Sequence, residues 1–305
     1  MNDLYIIKKS QTGTGKTELH ILLGARNYQE FLLQTGTRLD ETDDTWDFAA
    51  APHIERRDAD ENGTIVSRQI VHDNADVVGI KKSNTGNGTT ELWFVSAAAK
   101  YKQLSFIFAT ALEMTDNNWS FAMGLNLDFY IIKKGSLANP TGSGNTELHI
   151  LSAVSEYQEF FHYITPIEMT NEDFVFLLSI NLDLFIIKKR NTGTLRTEVH
   201  ILSHDSNYAE FTFQQGTALG MTDENWDFVL DSNNDLYAIF KGSEAVPTGS
   251  GKTEIHVLSA DSNYMDYSNH IVTPLEMTDN RFKFMMSQDI VSTTEIWIPP
   301  TIMWP

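Results

Sequence analysis

The stretch from 181 to 228, NLDLFIIKKRNTGTLRTEVHILSHDSNYAEFTFQQGTALGMTDENWDF, decides how this chain folds. It holds three apolar runs, Leu182–Ile187, Val199–Leu202 and Phe211–Phe213, and a fourth opens at Trp226. Between them stand Asn191-Thr192-Gly193, His204–Asn207 and Gly220–Asn225, rich in residues that favour turns. Short β-branched and aromatic runs with such punctuation read as antiparallel strands joined by hairpins. A four-stranded sheet of this composition is apolar on both faces. One unit cannot bury itself alone.

The unit recurs along the whole chain. The aspartate that opens its first strand returns as Asp3, Asp76, Asp128, Asp183 and Asp235, at spacings of 73, 52, 55 and 52 residues. A Lys-Lys pair closes that strand at Lys8, Lys81, Lys133 and Lys188, thinned to Phe240-Lys241 in the fifth. Thr-Glu marks the second strand at Glu18, Glu91, Glu147, Glu198, Glu254 and Glu295. A tyrosine (Tyr28, Tyr101, Tyr157, Tyr208, Tyr264) opens the third strand, and an aromatic (Trp46, Trp119, Phe174, Trp226, Phe282) opens the fourth.

Sheets of about 50 residues that must bury both faces do so by stacking in a ring. The expected fold is therefore all-β, a β-propeller of four-stranded blades, forming one domain over residues 1–305. Its units are 3–51, 76–123, 128–178, 183–230 and 235–286, with a partial sixth at 289–298. A five-bladed ring closed by the tail is the alternative. The insertion 52–72 carries an Asn62-Gly63 turn signal and reads as an extra hairpin on the rim.

Composition narrows the function classes. The chain has 305 residues, 41% of them hydrophobic, which is ample for a core. No cysteine is present, which removes disulfides, zinc–thiolate sites and thiol catalysis. With 41 acidic against 22 basic residues the formal charge is −19. That charge repels phosphate backbones, and the Lys-Lys pairs are spread one per unit, so nucleic acid is not an expected partner. No apolar stretch is long enough for a membrane span, and the N-terminus lacks a cleavable signal pattern. A cytoplasmic or non-classically secreted protein is expected. The apolar Ile302-Met303-Trp304 is expected to pack under the ring or to join two chains into a homo-oligomer.

At Trp226-Asp-Phe-Val-Leu-Asp-Ser-Asn-Asn-Asp235-Leu-Tyr the chain resembles FG-GAP (integrin-α-like) propeller repeats, where a strand runs through an Asp/Asn loop into the innermost strand of the blade. With its DLYxIKK, TGxGxTExH and NYxxF segments, the unit also resembles repeats of fungal and bacterial propeller lectins. The resemblance covers the chain outside 52–72. It implies a propeller, glycans or glycoproteins as partners, and a calcium loop whose ligands would be Asp231, Asn233 and Asp235. Asn126/Asp128 and Asn181/Asp183 keep half of that pattern, and no Phe-Gly pair opens the unit.

Several positions could carry chemistry. Glu and His two apart on the second strand share a face: Glu18/His20, Glu147/His149, Glu198/His200 and Glu254/His256. They could form metal or acid–base pairs. Trp93 and Trp297 take the histidine's place elsewhere, which favours packing. Lys8/Glu18, Lys133/Glu147 and Lys188/Glu198 are expected to face one another across the first hairpin as register-fixing ion pairs. The second-to-third and fourth-to-first loops emerge on one propeller face. There Asn27, Tyr28, Asp205, Asn207, Tyr208, Asp261, Asn263 and Tyr264 offer paired donors and acceptors beside an aromatic platform, as hydroxyl recognition needs. Turn chemistry accounts for the same residues. Trp46, Trp119 and Trp226 either anchor blade to blade or stack on sugars. No nucleophile–base–orienter set recurs, so the chain reads as a multivalent lectin and not an enzyme. A non-catalytic interaction propeller is the alternative, and a glycan hydrolase ranks third.

Overall fold

The structure, a computed structural model, describes residues 2–59, 65–136 and 139–287, with the backbone alone over 53–59 and 65–74. The partial sixth unit at 289–298 and the apolar tail lie outside the described residues, as does the turn at 60–64. Twenty strands follow in order. The first unit supplies β1 (Leu4–Lys8), β2 (Lys16–Leu22), β3 (Phe31–Asp40) and β4 (Trp46–Ala59). Next come β5 (Ile65–Lys81), β6 (Thr89–Val95), β7 (Leu104–Glu113) and β8 (Trp119–Met123). The third unit gives β9 (Phe129–Lys133), β10 (Asn145–Leu151), β11 (Phe160–Glu168) and β12 (Phe174–Leu178). The fourth gives β13 (Leu184–Lys188), β14 (Arg196–Leu202), β15 (Phe211–Gly220) and β16 (Trp226–Leu230). The fifth gives β17 (Leu236–Phe240), β18 (Lys252–Leu258), β19 (Tyr267–Glu276) and β20 (Phe282–Met286).

These strands form five four-stranded antiparallel sheets, and β4, β8, β12, β16 and β20 touch in a closed circuit around the axis. The fold is a five-bladed β-propeller. Each sheet is offset by one strand from the repeat read in the sequence. The aromatic strand that ends one unit is the innermost strand of the next blade. Blade 1 is β20-β1-β2-β3, blade 2 is β4 to β7, and blades 3, 4 and 5 begin at β8, β12 and β16. The described ring therefore closes with five blades. Among the described residues its closing strand is β20, paired from Leu4↔Met286 to Lys8↔Phe282.

Burial follows distance from the axis. The second strand of each blade is covered on both sides, as the run Leu4 to Ile7 at 1% exposure or less shows. Such strands must be apolar throughout, which explains the unbroken LYIIK, FYIIK and LFIIK runs. Five apolar clusters form between successive blades instead of one central core. Each fully buried Leu, Ile or Phe contributes about 1.5–3 kcal/mol there. In the five blades the Thr of the Thr-Glu motif (Thr17, Thr90, Thr146, Thr197, Thr253) is also buried. Its hydroxyl meets that of the Thr in the turn leading to the next inner strand, as Thr17 meets Thr42 at 3.1 Å.

The insertion corrects one expectation. It does pair as a hairpin, but as a continuation of the inner pair of blade 2 and not as an extra element on the rim, with β4 and β5 paired as far as Ala59↔Ile65. No described helix is long and apolar enough to cross a membrane.

Candidate functional site

Of the loop residues singled out from sequence, Asn27, Asp205, Asn207, Asp261 and Asn263 are exposed, whereas the tyrosines beside them, with the strand-opening aspartates, stitch the loops together. Asp3 Oδ1 accepts the Gly24 N–H at 2.8 Å, and Asp76, Asp128, Asp183 and Asp235 accept from Ala97, Ala153, His204 and Ala260. The tyrosines complete the stitch. Tyr28, Tyr208 and Tyr264 are 1%, 1% and 4% exposed, and their hydroxyls donate to the carbonyls of Asn2, Leu182 and Asn234. They are therefore not the exposed platform expected of them. The hydroxyl can reach those carbonyls because Asn27-Tyr28, Asn207-Tyr208 and Asn263-Tyr264 are consecutive left-handed pairs, with φ between 52° and 63°. Asparagine tolerates that conformation better than most residues. Asp205 and Asp261 are both exposed, Asp261 in a 3-10 turn spanning Ala260–Ser262.

The Asp231–Asp235 loop is occupied in the same way. Asp231 Oδ1 accepts the N–H groups of both Asn233 and Asp235 at 2.9 Å, and Asp235 Oδ1 is taken by Ala260. Burial raises the Asp231 carboxyl above its usual range against those hydrogen bonds. A buried carboxylate already closing a turn is a poor start for a hard-cation cage, which needs six or more oxygens.

The second strands present a more promising arrangement. The predicted register is met, with Lys8↔Glu18, Lys133↔Glu147 and Lys188↔Glu198 directly opposite. The lysine ammonium stands over the inner-strand aromatic: Lys133 Nζ lies 5.5 Å from the Trp119 ring and Lys188 Nζ 5.8 Å from that of Phe174. Glu18, Glu147, Glu198 and Glu254 each have one oxygen anchored. Glu147 Oε1 accepts the N–H and hydroxyl of Ser143 at 2.9 and 2.8 Å, and Glu254 Oε1 those of Ser250 at 3.0 and 2.7 Å. Oε2 is left to face the residue two positions on.

What meets Oε2 differs from blade to blade. In blade 2 it is the indole N–H of Trp93, at 3.0 Å. In blades 1 and 4 it is one imidazole, His20 at 3.6 Å and His200 at 3.4 Å. Blades 3 and 5 bring two. His162 on β11 stands opposite His149, and His270 on β19 opposite His256. Glu147 Oε2 lies 3.7 Å from His149 Nε2 and 3.5 Å from His162 Nε2; for Glu254 the values are 3.9 Å to His256 and 3.1 Å to His270. The paired rings stack with centroids 4.7 and 4.5 Å apart.

These two Glu/His/His groups have the donor set and spacing to hold a metal ion. Sequence reading missed them because His162 and His270 are absent from the other units, where Gln34, Ile107 and Gln214 stand. The signal was present as His-x-x-Thr-Pro, found only at His162–Pro166 and His270–Pro274. Burial tends to raise Glu147, yet the Ser143 hydrogen bonds and the facing His162 hold its carboxyl below the usual range. Burial, reinforced by His162, pushes His149 down to about 4. At neutral pH both are in the state that binds metal.

Of the blade 3 triad, His149 lines a cleft of about 390 Å³ between blades 2 and 3. Trp119, Lys133, His149 and Phe160 line one wall, and Glu113 and Met114 the other. Trp119 and Phe160 flank His149 at 5.6 and 6.1 Å. The same row recurs as Trp226–His256–Tyr267, with His20–Phe31 and His200–Phe211 as its outer part elsewhere. Trp46 packs edge-on against Trp93 in blade 2.

The second lysine of each pair was read as dispersed, but the ring brings neighbours together. Burial lowers Lys82, Lys134 and Lys189, and in each case another member of the set adds to it: Lys9, Lys82 and Lys241 respectively.

No protein-family model matches this chain, and no curated protein does. Among solved structures, that of a protein from Lactobacillus plantarum is similar over 93% of this chain and 99% of its own, at 10% identity and a TM-score of 0.38.

Proposed function

We propose that this protein is a multivalent carbohydrate-binding propeller, a lectin without catalysis, whose sugars dock in the clefts between blades. The supporting observation is the row Trp119, Lys133, His149 and Phe160 in the cleft between blades 2 and 3, and the matching aromatic row Trp226, His256 and Tyr267 in blade 5. Aromatic rings accept the apolar faces of sugars, while Lys133 and Glu113 supply a donor and an acceptor for hydroxyls. Such sites are individually weak, since hydroxyls must be desolvated. Tethering several on one chain raises avidity by roughly 10²–10⁴. The tryptophans thus carry the proposed role, with the loop asparagines and aspartates peripheral to it. Calcium at Asp231, Asn233 and Asp235 is not required.

A second reading has its own support. Phe160, Phe161 and Ile164 on β11 are 55%, 57% and 54% exposed, which suits a protein-contact surface on blade 3. A glycan array with and without chelator, followed by calorimetry on the best hit, separates the readings. Binding at more than one site per chain is expected, from the rows of blades 3 and 5, with the chelator arm reporting whether a metal at His149 or His256 contributes. Binding to no glycan on a broad array would end the lectin proposal in favour of the interaction platform, and product formation would promote the hydrolase.

A further inference from the structure

We propose that blades 3 and 5 each carry a transition-metal site of the zinc class, built from Glu147, His149 and His162 and from Glu254, His256 and His270. In each group all three ligand atoms lie within 4.8 Å of one another. A tetrahedral zinc ion with bonds of about 2.0–2.1 Å needs ligand atoms about 3.3–3.4 Å apart. The Nε2–Oε2 separations of 3.5 and 3.7 Å in blade 3, and 3.1 and 3.9 Å in blade 5, are close to that. The stacked rings set the two nitrogens side by side, so capture requires one ring to turn. His162 and His270 can do so, with side chains 42% and 52% exposed. The glutamate and the inner histidine are held. Ser143 and Ser250 fix the carboxylates from behind, and Trp119 and Trp226 flank His149 and His256. Such outer contacts orient ligands in metal sites.

His149 Nε2 is buried without a hydrogen-bond partner. His20 Nε2 and His200 Nε2 are too, so that feature alone carries nothing. The convergence of a second histidine distinguishes blades 3 and 5. Two imidazoles and one carboxylate suit zinc, nickel or copper rather than calcium. Three protein ligands also leave a fourth position open, facing solvent beside the exposed histidine.

The two sites differ in one respect. Opposite Glu147 stands Lys133, whereas Phe240 stands opposite Glu254. A cation close to the first site weakens metal binding there, and the second has no such opponent. Blade 5 should therefore bind zinc severalfold more tightly than blade 3.

The ring supplies its own controls. Gln34 and Gln214 occupy in blades 1 and 4 the place of His162 and His270, so His162→Gln and His270→Gln are substitutions the fold already accommodates. Calorimetric titration of the chelator-stripped full chain with zinc should show two unequal sites. H270Q should remove the tighter and H162Q the weaker. The double variant should bind no zinc at these sites, and zinc should raise the melting temperature of the parent but not of the double variant. Equal zinc uptake by parent and double variant would overturn the proposal, assigning uptake to the acidic surface. Two sites of equal affinity, or loss of the weaker in H270Q, would overturn the role given to Lys133.

Discussion

Gly79 stands directly opposite Trp93 in blade 2, where the other blades pair a larger residue with histidine. A Cβ at Gly79 would come within 3.1 Å of the Trp46 ring and 3.3 Å of Leu39. Blade 2 thus trades Ile and His for Gly and Trp, and the indole N–H keeps the bond to Glu91 Oε2. Trp93 comes with a glycine opposite it, and histidine-to-tryptophan exchange elsewhere would lack that space.

The corresponding pair in blade 4 is Ile186 and His200. His200→Trp alone should overpack that site and destabilise the protein by about 1–3 kcal/mol. Ile186→Gly should itself be destabilising, through lost burial and a glycine within a strand. Combined, the two should cost less than their sum. A double-mutant cycle by chemical denaturation measures the coupling, and strict additivity would refute the co-adaptation.

Tyr208 donates to the Leu182 carbonyl at 3.1 Å and meets His204 Nδ1 at 2.9 Å. Tyr208→Phe leaves a buried acceptor unmet and should lower stability by about 1–2 kcal/mol. Glycan affinity per folded molecule should not change. A variant that keeps its unfolding midpoint but loses binding would restore the tyrosine to the ligand site.

Blades were legible in the sequence because a strand buried on both faces must be apolar throughout, as Leu184–Lys188 is, and the ring repeats it. Phase was not legible. A circular repeat can be cut anywhere, and nothing local in Trp226–Leu230 says that it pairs with Leu236–Phe240 as the inner strand of a new blade. The metal groups escaped for a related reason. Looking for what recurs in every unit averages away His162 and His270, which matter because they do not recur. The tyrosines misled differently: the left-handed turn that makes Tyr28 look like a loop residue is what swings its ring inward.

Acid stability should depend on His20 and His200. Burial lowers both below the ordinary value of 6.5, more than the adjacent Glu18 and Glu198 raise them. As pH falls below about 6.5 the unfolded chain takes up protons that the folded chain resists, so stability declines on acidification. The double variant His20→Gln/His200→Gln should lose less stability than the parent between pH 7 and pH 5. Urea midpoints across that range check it, and parallel curves would contradict the assignment.

Ring closure offers the last test. Lys283 on β20 reaches Asp47 on β4 at 3.1 Å, joining the inner strands of blades 1 and 2. The side chains are 35% and 22% exposed, so some of the charge is solvated. Burial opposes both charges. Asp47 nonetheless raises the Lys283 amine, and Lys283 lowers the Asp47 carboxyl. Lys283→Met strands one half-buried carboxylate and should cost about 1–2 kcal/mol. Lys283→Met with Asp47→Leu removes both charges and should recover most of that loss, since a partly buried pair gains little over apolar packing. If β20 were held mainly by this pair, the double variant would open the ring and unfold less cooperatively. The ladder from Leu4↔Met286 to Lys8↔Phe282 and the packing of Phe284 and Met286 on blade 5 predict that it stays closed. Denaturation of the three variants, with the steepness of each transition compared to the parent, distinguishes the two outcomes.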